Sequence, residues 1–234
     1  MWENKTISVV FPAYNEEDNI AEAVKAFLDL GVIEEVIVVD NNSKDRTAER
    51  ARSAGARVVS ETTQGYGAAL TRGLREATTD LIVLSEPDGT FNSRDIYKLL
   101  AYYDEFDMIC GTRTTRELIW KEANMGWFLR QGNTVVAKML ELLFSGPSLS
   151  DCGCTMRLLR RETRDVLLPK LTVKGSHFLP ETVILCLLAG LRVIEIPVNY
   201  RGRIGESKIT GTLKGTLKTA INMILLILKY RITA

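Results

Sequence analysis

The sequence predicts an α/β fold: a mostly parallel, Rossmann-like sheet with helices on both faces, followed by a C-terminal amphipathic helix. Three observations predict it. Short, continuous apolar runs rich in β-branched residues recur, as Ile7-Ser8-Val9-Val10-Phe11, Val36-Ile37-Val38-Val39 and Leu81-Ile82-Val83-Leu84. Stretches with apolar residues at helical spacing separate them. Each run then ends in polar residues: Tyr14-Asn15-Glu16, Asp40-Asn41-Asn42-Ser43, and Glu86 with Asp88. Strands buried on both faces read as unbroken apolar runs, the mark of parallel sheets. Such sheets bind ligands at the carboxyl ends of their strands.

The elements follow in order. The first strand, residues 7–11, stops at Pro12, and residues 17–30 carry Ile20, Val24, Phe27 and Leu28 on one helical face. The second strand, 36–39, ends at Asp40. A short helix near 45–54, a strand over 57–59 and a helix over 65–77 lead to the strand at 81–84 and the turn Glu86-Pro87-Asp88-Gly89. The second half is less regular. Residues 112–124 mix charged and polar groups and read as a mobile loop. A helix is expected over 133–144, a strand over 155–159, a helix over 180–189 and an alternating strand over 192–198. We divide the chain into a catalytic domain, 1–209, and a C-terminal interface helix, 210–234.

Composition narrows the function classes. A chain of 234 residues suits one large domain with a full core. The formal charge of +1 gives no global field for nucleic acid. Charge is uneven, however, because Arg201, Arg203, Lys208, Lys214 and Lys218 face one acid, Glu206, over 201–218. With one histidine, His177, zinc ligand sets are hard to assemble, and the four cysteines read as reduced and buried. No signal-peptide pattern opens the chain, and no apolar stretch reaches the ~20 residues of a spanning helix. The body is therefore expected in the cytosol.

The acidic turn carries the first chemical signal. Two carboxylates on one turn, Glu86 and Asp88, can hold Mg²⁺ or Mn²⁺, which prefer oxygen ligands and share their shell with phosphate. The same four residues also read as a solvated type I turn. Asp40 can accept hydrogen bonds from a base or ribose. Ser43 to Thr47 can also start a helix, with Asp45 near its cap. Gly65 and Gly67, in Gln64-Gly65-Tyr66-Gly67, permit either a close backbone approach to a ligand or a tightly packed helix start.

Pro12-Ala13-Tyr14-Asn15-Glu16, Val39-Asp40-Asn41-Asn42-Ser43 with Asp45 and Thr47, Glu86-Pro87-Asp88 and Gly111-Thr112-Arg113 together resemble family 2 glycosyltransferases of the GT-A fold. Ser150-Asp151-Cys152-Gly153-Cys154-Thr155-Met156-Arg157 and Arg201-x-Arg203-x-Gly205-Glu206-Ser207-Lys208 are similar to the branch that makes polyprenyl-phosphate sugars. The resemblance spans nearly the whole chain. It implies a nucleotide-sugar donor, UDP- or GDP-linked, cradled by Pro12, Tyr14, Glu16 and Asp40. It implies a cation at Glu86 and Asp88, arginines against phosphates at Arg113 and Arg130, and a phosphate-binding end motif at Arg203, Ser207 and Lys208. The first metal acid is Glu in place of Asp. Thr90 stands where mannose synthases often carry Gln.

A polyprenyl phosphate, dolichyl or undecaprenyl, is the expected acceptor. Its second pKa of about 6 leaves it mostly a dianion at neutral pH, so attack needs no general base and inverts the anomeric centre. A saccharide hydroxyl, the rival acceptor, needs a base, for which Asp151 ranks above Glu181. A non-catalytic nucleotide-sugar-binding subunit is a third reading. His177 reads first as a structural hydrogen-bonder. Leu213, Leu217, Ala220, Ile221, Ile224, Leu225 and Leu228 form one apolar stripe, flanked by Lys214, Lys218, Lys229 and Arg231. It is suited to lying in a membrane interface, peripheral on the cytoplasmic face. The alternatives are a helix packed on the sheet or a homodimer contact. Met223, Leu226 and Ile227 widen the apolar surface, and the 133–144 helix offers a second contact.

Overall fold

A computed structural model describes residues 1–120, 123, 127–203 and 213–233. Its strands are β1 (Ile7–Ala13), β2 (Glu35–Asp40), β3 (Arg57–Ser60), β4 (Leu81–Leu84), β5 (Met108–Thr112), β6 (Arg157–Arg160) and β7 (Val193–Pro197). They form one sheet in the order β3-β2-β1-β4-β6-β5-β7. All pairings are parallel except those of β6, which runs antiparallel to both β4 and β5. The helices are α1 (Ile20–Leu28), α2 (Thr47–Ser53), α3 (Tyr66–Glu76), α4 (Ile96–Leu100), α5 (Trp127–Phe144), α6 (Arg161–Leu167), α7 (Phe178–Leu188) and α8 (Leu213–Thr233).

Alternate residues of each strand point to opposite faces, and both faces are covered. Val10, Ile37, Val39, Ile82 and Leu84 pack with Leu70 and Leu74 of α3, Val136 and Leu140 of α5, and Ile184 of α7. Val9, Phe11, Val36, Val38 and Val83 pack with Ile20, Val24 and Phe27 of α1, Ala51 of α2 and Leu99 of α4. Each such side chain contributes about 1.5–3 kcal/mol when fully buried. Double burial is why these strands show no polar alternation. The strand order reverses at β1, with β2 and β3 on one side and β4 on the other. That switch point opens a crevice beyond the carboxyl ends of β1 and β4.

Several elements differ from the sequence expectation. Strand β5 and helices α4 and α6 were not foreseen. Strand β6 begins at Arg157 rather than Thr155, and α5 begins at Trp127, well before residue 133. The described part of the expected mobile loop is tied down. It contains a 3-10 turn, Arg116–Leu118. Tyr200 N donates to Leu118 O at 2.9 Å, and Trp120 N donates to Tyr200 O at 2.9 Å. The guanidinium of Arg201 stacks 4.4 Å from the Trp120 ring centroid.

Helix α8 packs against α5 and α7. Met223, Leu226 and Ile227 are buried in the core shared with Val136 and Leu140, so the widening residues belong to packing. Leu217, Ile221, Leu225 and Leu228 remain exposed, at 63%, 47%, 59% and 42%. Ala220 and Ile224 are half-buried. The side chains of Leu213 and Lys214 lie outside the described set. Among the described residues, no helix is long and apolar enough to cross a membrane.

Candidate active site

The crevice is built by loops that hold one another. After β1, the N–H of Asn15 donates to Ser43 Oγ at 3.0 Å, and that of Glu16 to Thr47 Oγ1 at 2.8 Å. Lys44 N donates back to Asn15 Oδ1 at 2.8 Å. Asn15 and Asn42 both adopt positive φ, 52° and 64°, where Asn is among the few side chains tolerated. Asp45 Oδ1 accepts from Thr47 N and Thr47 Oγ1 at the start of α2, as its cap reading expects.

A cavity of about 300 Å³ results, lined by Pro12, Ala13, Tyr14, Glu16, Asn41, Gln64, Gly65, Tyr66, Ala69, Glu86, Pro87 and Arg203. Asp40 is not among these residues; its Oδ1 accepts from Ser43 N at 3.2 Å. Its neighbour Asn41 takes the wall position. Asn41 Nδ2 donates to the carbonyls of Glu61 and Thr63, both at 2.8 Å, and Asn41 Oδ1 accepts from Gly65 N at 2.8 Å. Asn42 Nδ2 donates to Thr62 O at 3.0 Å, so the two asparagines together hold the 61–65 wall.

Both readings of the glycine pair find a place. Gly65 lines the cavity, and its φ of +149° together with Lys174 O, 2.2 Å from any added Cβ, excludes a side chain. Gly67 does not line the cavity. A Cβ there would meet Val173 O at 2.4 Å and Phe178 Cβ at 2.9 Å.

Acids and one arginine meet at the inner end. Arg203 Nη2 lies 3.3 Å from Glu16 Oε1, and Arg203 Nη1 lies 3.2 Å from Asp88 Oδ2. Asp88 is fully buried, and its Oδ1 accepts from Thr90 N at 3.0 Å and Thr90 Oγ1 at 2.6 Å. Its Oδ2 accepts no hydrogen bond among the described residues; the arginine approaches it as an ion pair only. Glu86 Oε1 accepts from Thr155 Oγ1 at 2.6 Å and Tyr66 Oη at 3.2 Å. Burial, and then the charge of Asp88, push the Glu86 carboxyl up to about 7, against the pull of Thr155 and Arg203. Burial alone would lower the pKa of Arg203, but Asp88, Glu86 and Glu16 raise it. Behind this cluster lies Arg157, fully buried, whose guanidinium donates to Leu179 O, Thr182 Oγ1 and Cys154 O.

The donor set suits a hard divalent cation: Asp88 Oδ2 is buried and accepts no hydrogen bond among the described residues, and only the Arg203 guanidinium, 3.2 Å away, balances its charge. No group of three metal-binding side chains exists among the described residues. A cation at Glu86 and Asp88 therefore needs ligands from a substrate, as Mg²⁺ commonly takes from phosphates.

Arg113 and Asp151 form a separate pair. Arg113 Nε and Nη2 donate to Asp151 Oδ2 and Oδ1 at 2.8 and 3.0 Å, and the backbone N–H groups of Arg113 and Gly153 donate to the same carboxylate. Burial would raise the Asp151 pKa, but these partners lower it. Arg113 also stands 5.2 Å from the Tyr200 ring centroid. Arg130 is half-buried on α5, one turn before Thr134, whose Oγ1 donates to Ser150 O at 3.3 Å. Glu181 is fully buried away from the cavity, accepting from Thr172 N, Thr172 Oγ1, Val173 N and Tyr230 Oη. Ser207 and Lys208 lie outside the described residues. The site residues that sequence reasoning did not single out, Asn41, Gln64, Tyr66 and Thr155, sit inside the motifs already quoted, beside residues it did.

Solved structures share this architecture. Glucosyl-3-phosphoglycerate synthase from Mycobacterium tuberculosis, in complex with Mn²⁺, uridine diphosphate and phosphoglyceric acid, matches with a TM-score of 0.75 at 22% identity, over 97% of this chain and 79% of that one. The same synthase with Mn²⁺ and UDP-glucose matches at 0.75 and 21%, over 97% and 79%. A further mycobacterial protein matches at 0.74 and 24%, over 97% and 75%. The fold is thus the GT-A-like α/β fold of glycosyltransferases. The model for Glycosyl transferase family 2 matches residues 8–167. Uncharacterised glycosyltransferases of M. tuberculosis and Mycobacterium bovis are 35% identical over 214 residues, covering 90% of this chain and 93% of each relative. This chain belongs to glycosyl transferase family 2.

Proposed function

We propose that the chain transfers a hexose, with inversion, from a nucleotide-diphosphate sugar to a polyprenyl phosphate at a membrane surface. The carrying observation is the cavity beyond the switch point, which Glu16, Glu86 and Arg203 line, with Asp88 buried behind Arg203 and ion-paired to it. A nucleoside fits the Pro12–Tyr14 and Asn41–Tyr66 walls, with its diphosphate toward the acids. Glu86 and Asp88 would hold Mg²⁺ or Mn²⁺, which neutralises charge developing on a diphosphate leaving group. The resemblance sets Arg203 in a phosphate-binding motif; its place beside Tyr14 and Glu16 makes the donor diphosphate the phosphate we assign to it. Arg113 and Arg130, on the opposite segments, are assigned to the acceptor phosphate, with Ser207 and Lys208 of the end motif.

The state of the other carboxylates supports a phosphate acceptor. Asp151 has its four lone-pair directions taken by Arg113 and Gly153, and Glu181 faces Thr172 and Tyr230. Neither is presented to the cavity as a base. A phosphate dianion needs none, and the enzyme's work is alignment and charge neutralisation. The exposed stripe of α8 supports a lipid source for that phosphate, with α8 in the interface plane. The synthases of similar fold carry phosphoglyceric acid, which makes a small phosphorylated acceptor the second reading.

The test incubates the protein with labelled UDP- and GDP-sugars, Mg²⁺ or Mn²⁺, and either polyprenyl phosphate in micelles, phosphoglyceric acid or free saccharides. Label moving into the lipid phase supports the proposal. Label moving only into a soluble product overturns the lipid acceptor, and no turnover with any pair favours a binding subunit.

A further inference from the structure

We propose that the cleft between α8 and the 172–177 loop binds the headgroup of an anionic phospholipid, a site distinct from both donor and acceptor. The inference rests on the reading of α8 as an interface helix. The cleft has a volume of about 490 Å³ and is lined by Lys174, Lys229, His177, Asn222, Thr172 and Leu225, among others. Lys174 and Lys229 are exposed, and among the described residues neither forms an ion pair. None of the residues lining the cleft is acidic. Nearby Glu181 is fully buried and already accepts from Thr172 N, Thr172 Oγ1, Val173 N and Tyr230 Oη, and Glu61 lies in an adjoining hollow on the other side of Lys174. The cleft is thus a cationic hollow with no anion of its own. Nδ1 of His177 is buried there with no hydrogen-bond partner among the described residues. Two ammonium groups, an imidazole nitrogen and the Asn222 amide form a donor set for a phosphodiester.

The surroundings argue for lipid as the source of that phosphate. Leu225, 59% exposed, lines the cleft and belongs to the open stripe with Leu217, Ile221 and Leu228. A headgroup in the cleft leaves its acyl chains against that stripe. Exposed Lys218 and Arg231 flank it and complement an anionic surface. The loop is also part of the donor-site scaffold: Ala68 N donates to Lys174 O at 3.1 Å, beside Gly65 in the cavity wall.

The test is co-sedimentation of the full chain with vesicles of phosphatidylcholine, alone or mixed with phosphatidylglycerol. Wild type should prefer the anionic vesicles. Lys174→Gln/Lys229→Gln, folded by circular dichroism, should lose at least about tenfold of that binding. Lys218→Gln/Arg231→Gln, the same charge change outside the cleft, should lose about threefold or less. Equal losses from the two pairs would show diffuse attraction and overturn the site, as would an unaffected cleft variant. Wild type that binds neither vesicle overturns the interface reading of α8 as well. Lysine-dependent binding of inorganic phosphate in calorimetry, without any vesicle preference, reassigns the cleft to a soluble anion and overturns the lipid.

Discussion

Arg203 Nη1 stands 3.2 Å from Asp88 Oδ2, a fully buried carboxylate oxygen that accepts no hydrogen bond from any described group. The arginine is held there by its own segment, since Arg201 N donates to Thr90 O at 2.8 Å, two residues beyond Asp88. The acidic turn and the C-terminal motif are thereby one unit. Arg203 occupies the charge that a cation would otherwise balance.

Asp88→Ala should remove most turnover. Losing the ligand of a cation that stabilises the leaving group costs several kcal/mol, on the order of 100-fold or more in rate. The check is kcat in Mn²⁺ titrations, beside thermal melting to show the fold is kept. Near-normal rates in chelator-treated buffer would remove the metal from the proposal.

Arg203→Ala should weaken nucleotide-sugar binding by at least about tenfold, since a hydrogen bond to a charged group contributes roughly 1.5–3 kcal/mol. Arg203→Lys should restore only part, because an ammonium lacks the planar fork that spans Glu16 and Asp88. Calorimetry decides the side. Unchanged donor affinity with a raised acceptor KM would move Arg203 to the acceptor.

Asp151→Asn should destabilise the fold by about 3–5 kcal/mol at neutral pH, because it leaves the Arg113 charge buried and unpaired. The Asp151 pKa is lowered in the fold, so its contribution is present above the ordinary value of 3.8 and lost as pH falls through the folded value. Urea unfolding should therefore show the wild-type advantage shrinking at acid pH. An advantage that persists in acid would show that the pair stabilises by shape alone.

Gly67→Ala should cost about 1–3 kcal/mol, since its Cβ meets the Val173 carbonyl and the backbone must move. Gly132→Ala is the contrast. Gly132 lies inside α5, nothing stands within 4 Å of a Cβ there, and the change should stabilise by about 0.5–1 kcal/mol. Melting temperatures moving in the same direction would contradict the packing account.

With a phosphate acceptor, turnover should fall as pH drops through about 6, where the monoester gains its second proton. Burial lowers the pKa of His177 from its ordinary value against the smaller opposing effect of Glu181, so assigning that limb requires removing the histidine. His177→Gln should keep the acid limb. A limb that vanishes in the variant would assign it to the histidine.

The first half of the fold was legible because its signals are local. The runs at 7–11, 36–39 and 81–84 are almost continuously apolar, as strands of a sheet covered on both faces require. Strand β5 was not legible, since Gly111 and Thr112 break its apolar run, and nothing local marks β6 as antiparallel; its direction depends on pairing with Leu84 and Cys110. In the site, Asp40 was chosen over Asn41 because a carboxylate is the stronger chemical signal. Which of two adjacent side chains faces the cavity is set by the twist of the strand end and by the 61–65 loop it holds.

The sequence by itself determined the α/β class, the strand ends that carry polar groups, and the pairing of Glu86 with Asp88, because each depends on residue type and short spacing. Tertiary structure alone decided that Arg203 closes on Glu16 and Asp88, that Asp151 is consumed by Arg113, and that α8 divides into a buried and an open face. Those outcomes rest on contacts between distant segments, where burial and neighbouring charge give the same side chain a different role.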